Sequence, residues 1–339
     1  MPEDRVAVPT MRDVATLAGV SPATVSGVLG GTKAVSDITR KKVEAAIAQL
    51  GYRPNAVARA LRTNESQTIG LVIPDITNPF YSDIAKGVIC RAKDYGYGVF
   101  LTTTDETFEG VMAAARRLAD RRVDGIVLTN IGRDYPMPPQ TVEGMPYVLV
   151  NRHPDPLPAD YAGTDNFGGA VEMADHLLDL GHRAIAFIGG VENSSANQAR
   201  LDGYLAALAR RSIVPDPSWI TFGHLRYDEA VEIVHALVHT PVTAIFAGDD
   251  MMALGVLDGL GQRGLRVPQD MSVVGFDGIW PTALPGIELT TVSQPRLEIG
   301  LEAIELLMDR IKGSSGPPRM KQLPYRVEIR RTTSTPHNL

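Results

Sequence analysis

The chain has 339 residues, of which 44% are hydrophobic and 21% are charged. This length corresponds to two or three domains of roughly 100 to 200 residues each, and the composition excludes a disordered or fibrous chain. The sequence contains no charge-free apolar run of about 20 residues, as a membrane helix requires, and no apolar stretch near its N-terminus that is typical of a signal peptide. We therefore expect a cytoplasmic protein without a membrane span.

Cys90 is the only cysteine of the chain. A single thiol excludes an intramolecular disulfide and a metal site made of several cysteines, and it suits a reducing compartment. We expect Cys90 to be a small buried residue of a helix.

The charges are distributed unevenly along the chain. Residues 10–63 contain eight basic and three acidic residues, a net charge of +5. Since the whole chain has a net charge of −6, the remaining residues have a net charge of −11. A basic segment attached to an acidic body indicates that the segment binds a polyanion while the body does something else.

Turn and capping signals divide the N-terminal segment into three short helices. Thr10 begins a capping box ahead of the first helix, and Gly19 ends that helix. Ser21 can cap the second helix, and Ser36 or Asp37 can cap the third. Two short helices joined by a glycine-containing turn, followed by a packing helix, indicate a helix-turn-helix head.

From Thr68 onward, short apolar runs alternate with amphipathic stretches. The predicted strands are 69–73, 99–101, 125–128, 147–150, 184–188, 244–247 and 273–276, and the predicted helices include 80–95, 168–180, 199–210, 228–239 and 251–262. Buried strands with intervening helices predict parallel sheets. Since this pattern is long for one sheet, we expect two α/β lobes, with a ligand in the cleft between them at the carboxyl ends of the strands.

Several motifs resemble the LacI/GalR family of bacterial repressors. The head and hinge of that family are similar to Met11-Arg-Asp-Val-Ala-Thr-Leu-Ala-Gly-Val-Ser21-Pro-Ala-Thr-Val-Ser26 and to Gly51-Tyr-Arg-Pro-Asn55-Ala-Val-Ala58-Arg-Ala-Leu61. Its core is similar to Asp75-Ile-Thr-Asn-Pro-Phe-Tyr81, Gly264-Leu-Arg-Val-Pro-Gln-Asp270 and Leu289-Thr-Thr-Val-Ser-Gln294, among others. The resemblance extends over nearly the whole chain, and the motifs occur in the same order.

The resemblance implies an N-terminal all-α helix-turn-helix head with a hinge helix, followed by a two-lobed α/β core of parallel sheets that resembles periplasmic sugar-binding proteins. The expected domains are a DNA-binding head at 1–53, a hinge helix and linker at 54–66, and an effector-binding and dimerisation core at 67–339. Within the core, we expect an N-lobe of about 67–163 plus 293–339 and a C-lobe of about 164–292.

The resemblance also implies a DNA-binding surface on the head. In such heads, hydroxyls near helix N-termini bind phosphates, and the start of the recognition helix reaches base edges. Relatives often carry long side chains at the positions of Pro22, Ala23 and Gly27, whereas the short groups here cannot form bidentate bonds to bases, so direct readout is expected to be limited. The predicted DNA-binding residues of the head are Thr10, Arg12, Ser21, Pro22, Ala23, Thr24, Ser26, Gly27 and Ser36.

The hinge supplies a second set of predicted DNA contacts. Asn55, Ala58 and Leu61 are three residues apart, so a helix would place them on one face. In the family, two such helices of a dimer enter the minor groove and a leucine, matched here by Leu61, is inserted between base steps. We expect a homodimer on an approximately palindromic operator, and no helical tetramerisation bundle, because the tail after Gly313 lacks heptads.

Family positions for effector binding correspond to polar and aromatic residues of the core. Carboxylates accept from paired hydroxyls, Arg and Asn donate, and an aromatic ring covers the apolar face of a sugar. We therefore expect a small hydroxyl-rich effector, a sugar or sugar acid ahead of a nucleobase or nucleoside. The predicted effector-binding residues are Phe80, Tyr81, Asn151, Arg200, Asp249, Asp277 and Trp280. An Asp at the end of a strand also has a structural alternative, since it often caps the following helix.

Other chemistry has weak support in the sequence. His235 and His239 have i, i+4 spacing, but no adjacent glutamate or third ligand accompanies them, so no metal site is expected. We predict neither a cofactor nor enzymatic activity. The alternatives are a sugar-processing or nucleotide-binding enzyme with a helical cap and a two-lobed solute-binding protein. The basic head and the absence of a nucleophile set favour a DNA-binding regulator.

Overall fold

The computed structural model describes residues 9–30, 35–52, 65–104, 107–129, 132–133, 144–223 and 226–336. The chain divides into two compact units, Met1–Ser66 and Gln67–Leu339. The predicted hinge contacts Asn55, Ala58 and Leu61 lie outside the described residues.

The first unit contains the three helices expected from the capping signals. They are α1 (Met11–Ala18), α2 (Pro22–Gly30) and α3 (Asp37–Leu50). Thr10 and Asp13 form a reciprocal capping box at the start of α1, and Gly19 ends this helix with a left-handed φ of 67°, a conformation without steric cost for glycine. The helices share a small core in which Val14, Val25 and Val43 are fully buried.

The second unit alternates strands and helices along the chain. Its strands are β1 (Thr68–Ile73), β2 (Gly98–Thr103), β3 (Gly125–Leu128), β4 (Tyr147–Val150), β5 (Asp160–Thr164), β6 (Ile185–Gly189), β7 (Ile220–Phe222), β8 (Ala244–Ala247), β9 (Ser272–Asp277), β10 (Thr290–Ser293), β11 (Met320–Leu323) and β12 (Arg326–Glu328). Its helices are α4 (Pro79–Asp94), α5 (Phe108–Asp120), α6 (Asn166–Asp179), α7 (Ser195–Arg210), α8 (Tyr227–Leu237), α9 (Asp250–Gln262) and α10 (Arg296–Ile311), with short 3-10 turns at Pro217–Trp219 and Trp280–Ala283.

These elements form two sheets of six strands each. The first has the order β11-β5-β4-β3-β1-β2 and the second the order β12-β10-β9-β8-β6-β7. Neighbouring strands are parallel except for β12, which pairs antiparallel to β10. The inner strands are apolar and buried along their whole length, as expected for parallel strands that helices cover on both faces. The predicted helical head and two-lobed parallel α/β core are confirmed.

The C-terminal segment differs from the predicted lobe boundaries. From the sequence, the whole of 293–339 was expected in the first lobe, and β11 does join the first sheet beside β5. However, β12 pairs with β10 of the second sheet, and the backbone N–H of Val273 donates to the carbonyl of Thr332 at 2.8 Å. The chain therefore crosses between the lobes once more than expected. The short, polar segments of this tail gave no apolar pattern from which its sheet could be inferred.

Two expectations about burial were wrong. Cys90 lies on α4 but is exposed, because this helix packs against α10 through its opposite face, where Ile84 and Val88 are buried. The apolar run at 99–101 is a strand, yet it forms the outer edge of the first sheet, and its Phe100 is 44% exposed. Apolar composition identified β2 as a strand without revealing its edge position.

None of the helices in the described part of the chain is long and apolar enough to cross a membrane.

Candidate functional site

A small polar cavity lies between the two lobes of the second unit, near the carboxyl ends of β1, β4, β6, β8 and β9. Its volume is about 20 Å³, which is room for about one water molecule and much less than a ligand needs. The lining residues are Asn78, Phe80, Tyr81, Asn151, Arg152, Val191, Ser194, Ala196, Asn197, Arg200, Gly248, Asp249 and Asp277.

Six of the seven predicted effector-binding residues line this cavity. They are Phe80, Tyr81, Asn151, Arg200, Asp249 and Asp277. Trp280 is not among the lining residues; it starts the short turn after β9, and 63% of it is exposed. Trp280 does not line this cavity, so its contact with an effector stays a prediction.

Arg200 forms three hydrogen bonds and one ring contact at the cavity. Projecting from α7, it donates to Asp277 Oδ1 at 3.2 Å, to Asn166 Oδ1 at 2.9 Å and to the carbonyl of Gly248 at 2.5 Å. Its guanidinium also lies 3.9 Å from the ring centroid of Phe276, a stacking arrangement that suits the planar arginine head. These contacts fix the orientation of a buried cation before any ligand binds.

Asp277 sits at the end of β9 in an unusual backbone conformation, with φ of 123°. Gln294 Nε2 donates to its Oδ1 at 2.7 Å, and Arg296 donates to its backbone carbonyl. Burial raises the pKa of Asp277, although the positive charge of Arg200 acts in the opposite direction. Residues held in sparsely populated backbone conformations cluster at functional sites, so the strain is a further reason to single out this position.

Asp249 has both of the properties that the sequence analysis weighed. Its Oδ1 caps α9 by accepting from the N–H of Met252 at 2.7 Å, which is the structural alternative. Its Oδ2 is buried and has no hydrogen-bond partner among the described residues. Burial and the negative charge of Asp277 hold the pKa of Asp249 well above its ordinary value. One carboxylate oxygen of Asp249 therefore serves the fold, and the other has no partner in the described part of the chain.

Asn151 provides a second buried polar atom of this kind. It follows β4 with a left-handed φ of 65°, and its Oδ1 lacks a hydrogen-bond partner within the described ranges. A buried polar group without a partner costs roughly 1–3 kcal/mol. Two such atoms in one cavity make it the candidate site for a molecule with hydrogen-bonding groups.

Two charged residues near the cavity escaped the sequence analysis. Arg152 lines the cavity and donates to Tyr81 Oη at 3.3 Å; its position two residues after a buried strand was the available signal. Asp250 lies behind the cavity, where it accepts from Thr291 Oγ1 at 2.6 Å and from the N–H of Ile279 at 2.9 Å. Burial raises the pKa of Asp250 to about 7. Its bonds hold β9 and β10 in place, so we assign it a supporting position.

In the head, the predicted hydroxyl residues serve first as helix caps. Thr10, Ser21 and Ser36 each accept from a backbone N–H in the first turn of α1, α2 and α3, respectively. Arg12, Pro22 and Ala23 are exposed, whereas Gly27 is buried. Exposed helix N-termini can also bind phosphates, so capping and DNA contact are compatible. The assignment of these residues to DNA stays a prediction, and for Gly27 burial makes a direct base contact harder.

Among the described residues, no group of three or more His, Cys, Asp and Glu side chains is placed to hold a metal ion. His235 lies 3.8 Å from Glu232, an ordinary contact along one helix face.

Two family models match separate parts of the chain. The one described as "Bacterial regulatory proteins, lacI family" matches residues 10–55, and the one described as "Periplasmic binding protein-like domain" matches residues 174–333. Catabolite control protein A of Priestia megaterium is 36% identical over 329 residues, which are 96% of this chain and 99% of that protein.

Solved structures resemble the chain over nearly its whole length. The complex of the transcriptional regulator CelR with cellobiose is 34% identical, covers 96% of this chain and 99% of that one, and has a TM-score of 0.72. The Lac repressor dimer bound to operator and the anti-inducer ONPF is 28% identical, covers 97% of this chain and 100% of that one, and has a TM-score of 0.86.

Proposed function

Because this chain belongs to the LacI family of bacterial regulatory proteins, we propose that it is a homodimeric repressor that binds a palindromic operator. A small, hydroxyl-rich effector bound between its lobes controls the affinity for this operator. Membership in the family makes it a DNA-binding transcriptional regulator. The identity of the effector, the operator symmetry and the residues that bind each of them are our proposal.

The observation that carries the effector class is the pair of unpartnered buried oxygens, Asp249 Oδ2 and Asn151 Oδ1. An isolated buried acceptor is costly, and a hydroxyl can donate to it. A hydroxyl can also accept a bond, so it complements Asp249 in either protonation state. Adjacent hydroxyls on one ring offer several such groups in a small volume, as a saccharide does.

The charges of the cavity favour an uncharged ligand. The lining residues include two arginines, Arg152 and Arg200, and two aspartates, Asp249 and Asp277. A sugar acid would add a negative charge to a site in which Arg200 is already committed to Asp277 at 3.2 Å. We therefore place a neutral sugar ahead of a sugar acid.

The aromatic residues support a sugar over a nucleobase. Phe80 and Tyr81 pack edge to face, with ring centroids 5.0 Å apart and an interplanar angle of 84°, and 2% and 3% of them are exposed. This arrangement offers an apolar surface to the C–H face of a sugar. It does not offer two parallel rings between which a nucleobase could stack. The related CelR structure contains cellobiose.

Effector binding requires the lobes to separate from the arrangement described here. The cavity has a volume of only about 20 Å³. Two hydrogen bonds also join the lobes, from Arg133 Nη1 to Gln198 Oε1 at 3.1 Å and from the N–H of His153 to Ser195 Oγ at 2.9 Å. A ligand that needs more space binds preferentially when these contacts are broken. Such a difference in affinity between two arrangements is what allows an effector to shift a conformational equilibrium.

A thermal-shift screen of the full chain tests the effector class. We expect neutral mono- and disaccharides to include compounds that raise the melting temperature, because binding to the folded state stabilises it by mass action. We expect Asp249→Asn and Asp277→Asn to weaken the best compound at least tenfold. The control Asp94→Asn, at an exposed position of α4, should leave its affinity unchanged. If only nucleobases or nucleosides stabilise the protein, or if both cavity variants bind as tightly as the wild type, the proposed effector site is wrong.

The DNA part of the proposal is tested at the hinge, where the family resemblance assigns a base-step wedge to Leu61. A duplex selected by the wild-type protein from a random-sequence library serves as the operator, and we expect its two halves to be approximate inverted repeats. Leu61→Ala should weaken binding to this duplex more than tenfold, because a shortened side chain no longer stabilises the unstacked step. Binding to a random-sequence duplex at the same salt concentration should persist, since it depends on phosphates. If Leu61→Ala binds the operator as tightly as the wild type does, Leu61 is not inserted between base steps.

A further inference from the structure

The C-terminal end of α5 carries a concentration of positive charge that the effector site does not use. We call Arg116, Arg117, Arg121 and Arg122 the arginine cluster; all four are exposed. Across the part of the chain that the structure describes, none of their guanidinium groups forms an ion pair or hydrogen bond with a carboxylate. Four adjacent cations without counter-ions repel one another, so an anionic partner would be favoured there.

Other helices of the core treat their C-terminal arginines differently. The helix dipole favours a cation at any helix C-terminus, which accounts for the type of residue but not for missing partners. Four such arginines elsewhere pair with carboxylates: Arg91 with Glu305 at 2.9 Å, Arg210 with Asp175 at 2.6 Å, Arg211 with Asp179 at 2.5 Å and Arg310 with Asp160 at 2.7 Å. Arg263 at the end of α9 resembles the cluster in having no carboxylate partner among the described residues, but it is a single cation. The arginine cluster therefore differs from the rest of the core in placing four such cations side by side.

The acidic residues nearest in sequence do not neutralise the cluster. Asp124 accepts from the backbone N–H of Gln67 at 2.8 Å, so one of its oxygens is engaged in anchoring the start of β1. Asp120 is the other acid in this stretch, which leaves a local net charge of +2. This contrasts with the excess of negative charge on residues outside the basic N-terminal segment.

The cluster lies at the edge of the first lobe where the chain arrives from the head. The N–H of Asp124 donates to the carbonyl of Thr68 at 2.8 Å, and the N–H of Gly98 donates to that of Gln67 at 2.9 Å. The beginnings of β1, β2 and β3 and the end of α5 therefore share one edge of the lobe. The head is covalently joined to the core at this edge, because the first strand of the core follows the head directly in the chain.

One arginine of the cluster is held in a geometry suited to phosphate. The guanidinium carbon of Arg121 lies 5.2 Å from the ring centroid of Phe100, an exposed residue of the edge strand β2. Stacking on an aromatic face restricts the guanidinium while leaving its N–H edge available. Bidentate bonding to a phosphate requires this edge.

We propose that the arginine cluster is a second DNA-binding surface, which contacts the phosphate backbone of the duplex engaged by the head without reading its sequence. This inference rests on the proposed function in that it requires the chain to bind DNA. The covalent link between the head and the core favours DNA over an acidic protein as the occupant, because a polyanion bound by the head has a raised effective concentration for the rest of the same chain. Each phosphate contact releases condensed counter-ions, so the surface adds to the salt dependence of binding.

The test measures binding of the full chain to a random-sequence 40-base-pair duplex at several salt concentrations. In the double variant Arg117→Gln/Arg121→Gln, we expect the slope of log affinity against log salt to be smaller in magnitude by about 2 per protomer. The double variant Arg117→Lys/Arg121→Lys keeps the charges and should keep most of the slope. Melting temperatures of both variants establish that they are folded.

Arg263→Gln is the matched control for lost charge. Arg263 follows α9 as Arg121 follows α5: each is exposed and forms the C-cap of a 13-residue helix. We expect this control to leave the slope unchanged. If the Gln double variant has the wild-type slope, the inference is overturned. The arginine cluster then faces either an acidic protein or only solvent. If the wild type itself does not bind duplex DNA at low salt, the proposed function fails instead.

Discussion

Replacing Arg200 with methionine should lower the free energy of unfolding by about 3–5 kcal/mol and abolish effector binding. Methionine keeps the apolar stem but removes the bonds to Asp277, Asn166 and the carbonyl of Gly248. The side chains of Arg200 and Asp277 are only 6% and 8% exposed, so bulk solvent does not compensate for the lost positive charge. The cost comes mainly from the carboxylate that stays buried without its counter-ion.

The loss should depend on pH in a defined direction. Arg200 lowers the pKa values of Asp277 and Asp249, and burial raises both. Without Arg200 the folded-state values rise further, while the unfolded values stay near about 4. The folded variant then binds protons that the unfolded chain does not, so its stability increases as the pH falls towards 4. The difference between variant and wild type should accordingly be smaller at pH 5 than at pH 8.

Arg210→Met is the control on the same helix. Arg210 pairs with Asp175 at 2.6 Å, but its side chain is 55% exposed, and exposed pairs contribute about 0–1 kcal/mol. Urea unfolding of both variants and of Arg200→Met/Asp277→Asn separates the effects. The second substitution should recover part of the lost stability, because it removes the unpaired charge. Equal losses in Arg200→Met and Arg210→Met would contradict the buried ion pair as the organising contact of the cleft.

The sequence predicted the fold best where a side-chain pattern is compatible with only one local structure. Buried parallel strands such as β6 and β8 need continuous apolar runs, and α1 ends where Gly19 can adopt a left-handed conformation. The cavity residues Arg200 and Asp277 were found through the family resemblance, since 77 positions separate them along the chain. A pairing at such a distance has no local periodicity or spacing from which to infer it.

The remaining features depend on the tertiary environment. β12 is a short polar segment that pairs with β10. The free edge of β10 determines this pairing, and the residues of β12 give no pattern from which to predict it. Cys90 is exposed because of which face of α4 meets α10. The unpartnered arginines of α5 are visible in the sequence, but their lack of carboxylate partners is established only when the surrounding side chains are in place. Pairing, edge position and counter-ions are properties of the assembled lobe.

The packing of α4 against α10 should be intolerant of any side chain at Gly300. A Cβ added to Gly300 would lie 2.2 Å from the carbonyl oxygen of Ile84, and one added to Gly87 would lie 2.2 Å from that of Leu297. Both obstacles are backbone atoms, which cannot rotate away. The two helices therefore cross at a mutual glycine contact, and a larger residue must push them apart.

We expect Gly300→Val to cost about 3 kcal/mol or more, at the upper end of overpacking effects. Gly261→Val in α9 is the control, because a Cβ at Gly261 meets nothing within 4 Å. Since both variants place the same residue in a helix, their intrinsic helix propensities cancel in the comparison. Denaturant unfolding, analysed through midpoint and slope, should show a large loss only for Gly300→Val.

The same substitution should also disturb the cleft, because both helices contribute to it. α4 carries Phe80 and Tyr81 in its first turn, and α10 begins with Arg296, which donates to the carbonyl of Asp277 and pairs with Asp83 of α4 at 3.0 Å. Separating the helices moves these groups relative to Arg200 and Asp249 of the second lobe. At a temperature where Gly300→Val is still folded, its affinity for the best stabilising saccharide should be reduced while that of Gly261→Val is not. Wild-type stability and affinity in Gly300→Val would show that the helices can separate at little cost and that the glycine contact does not position the cleft.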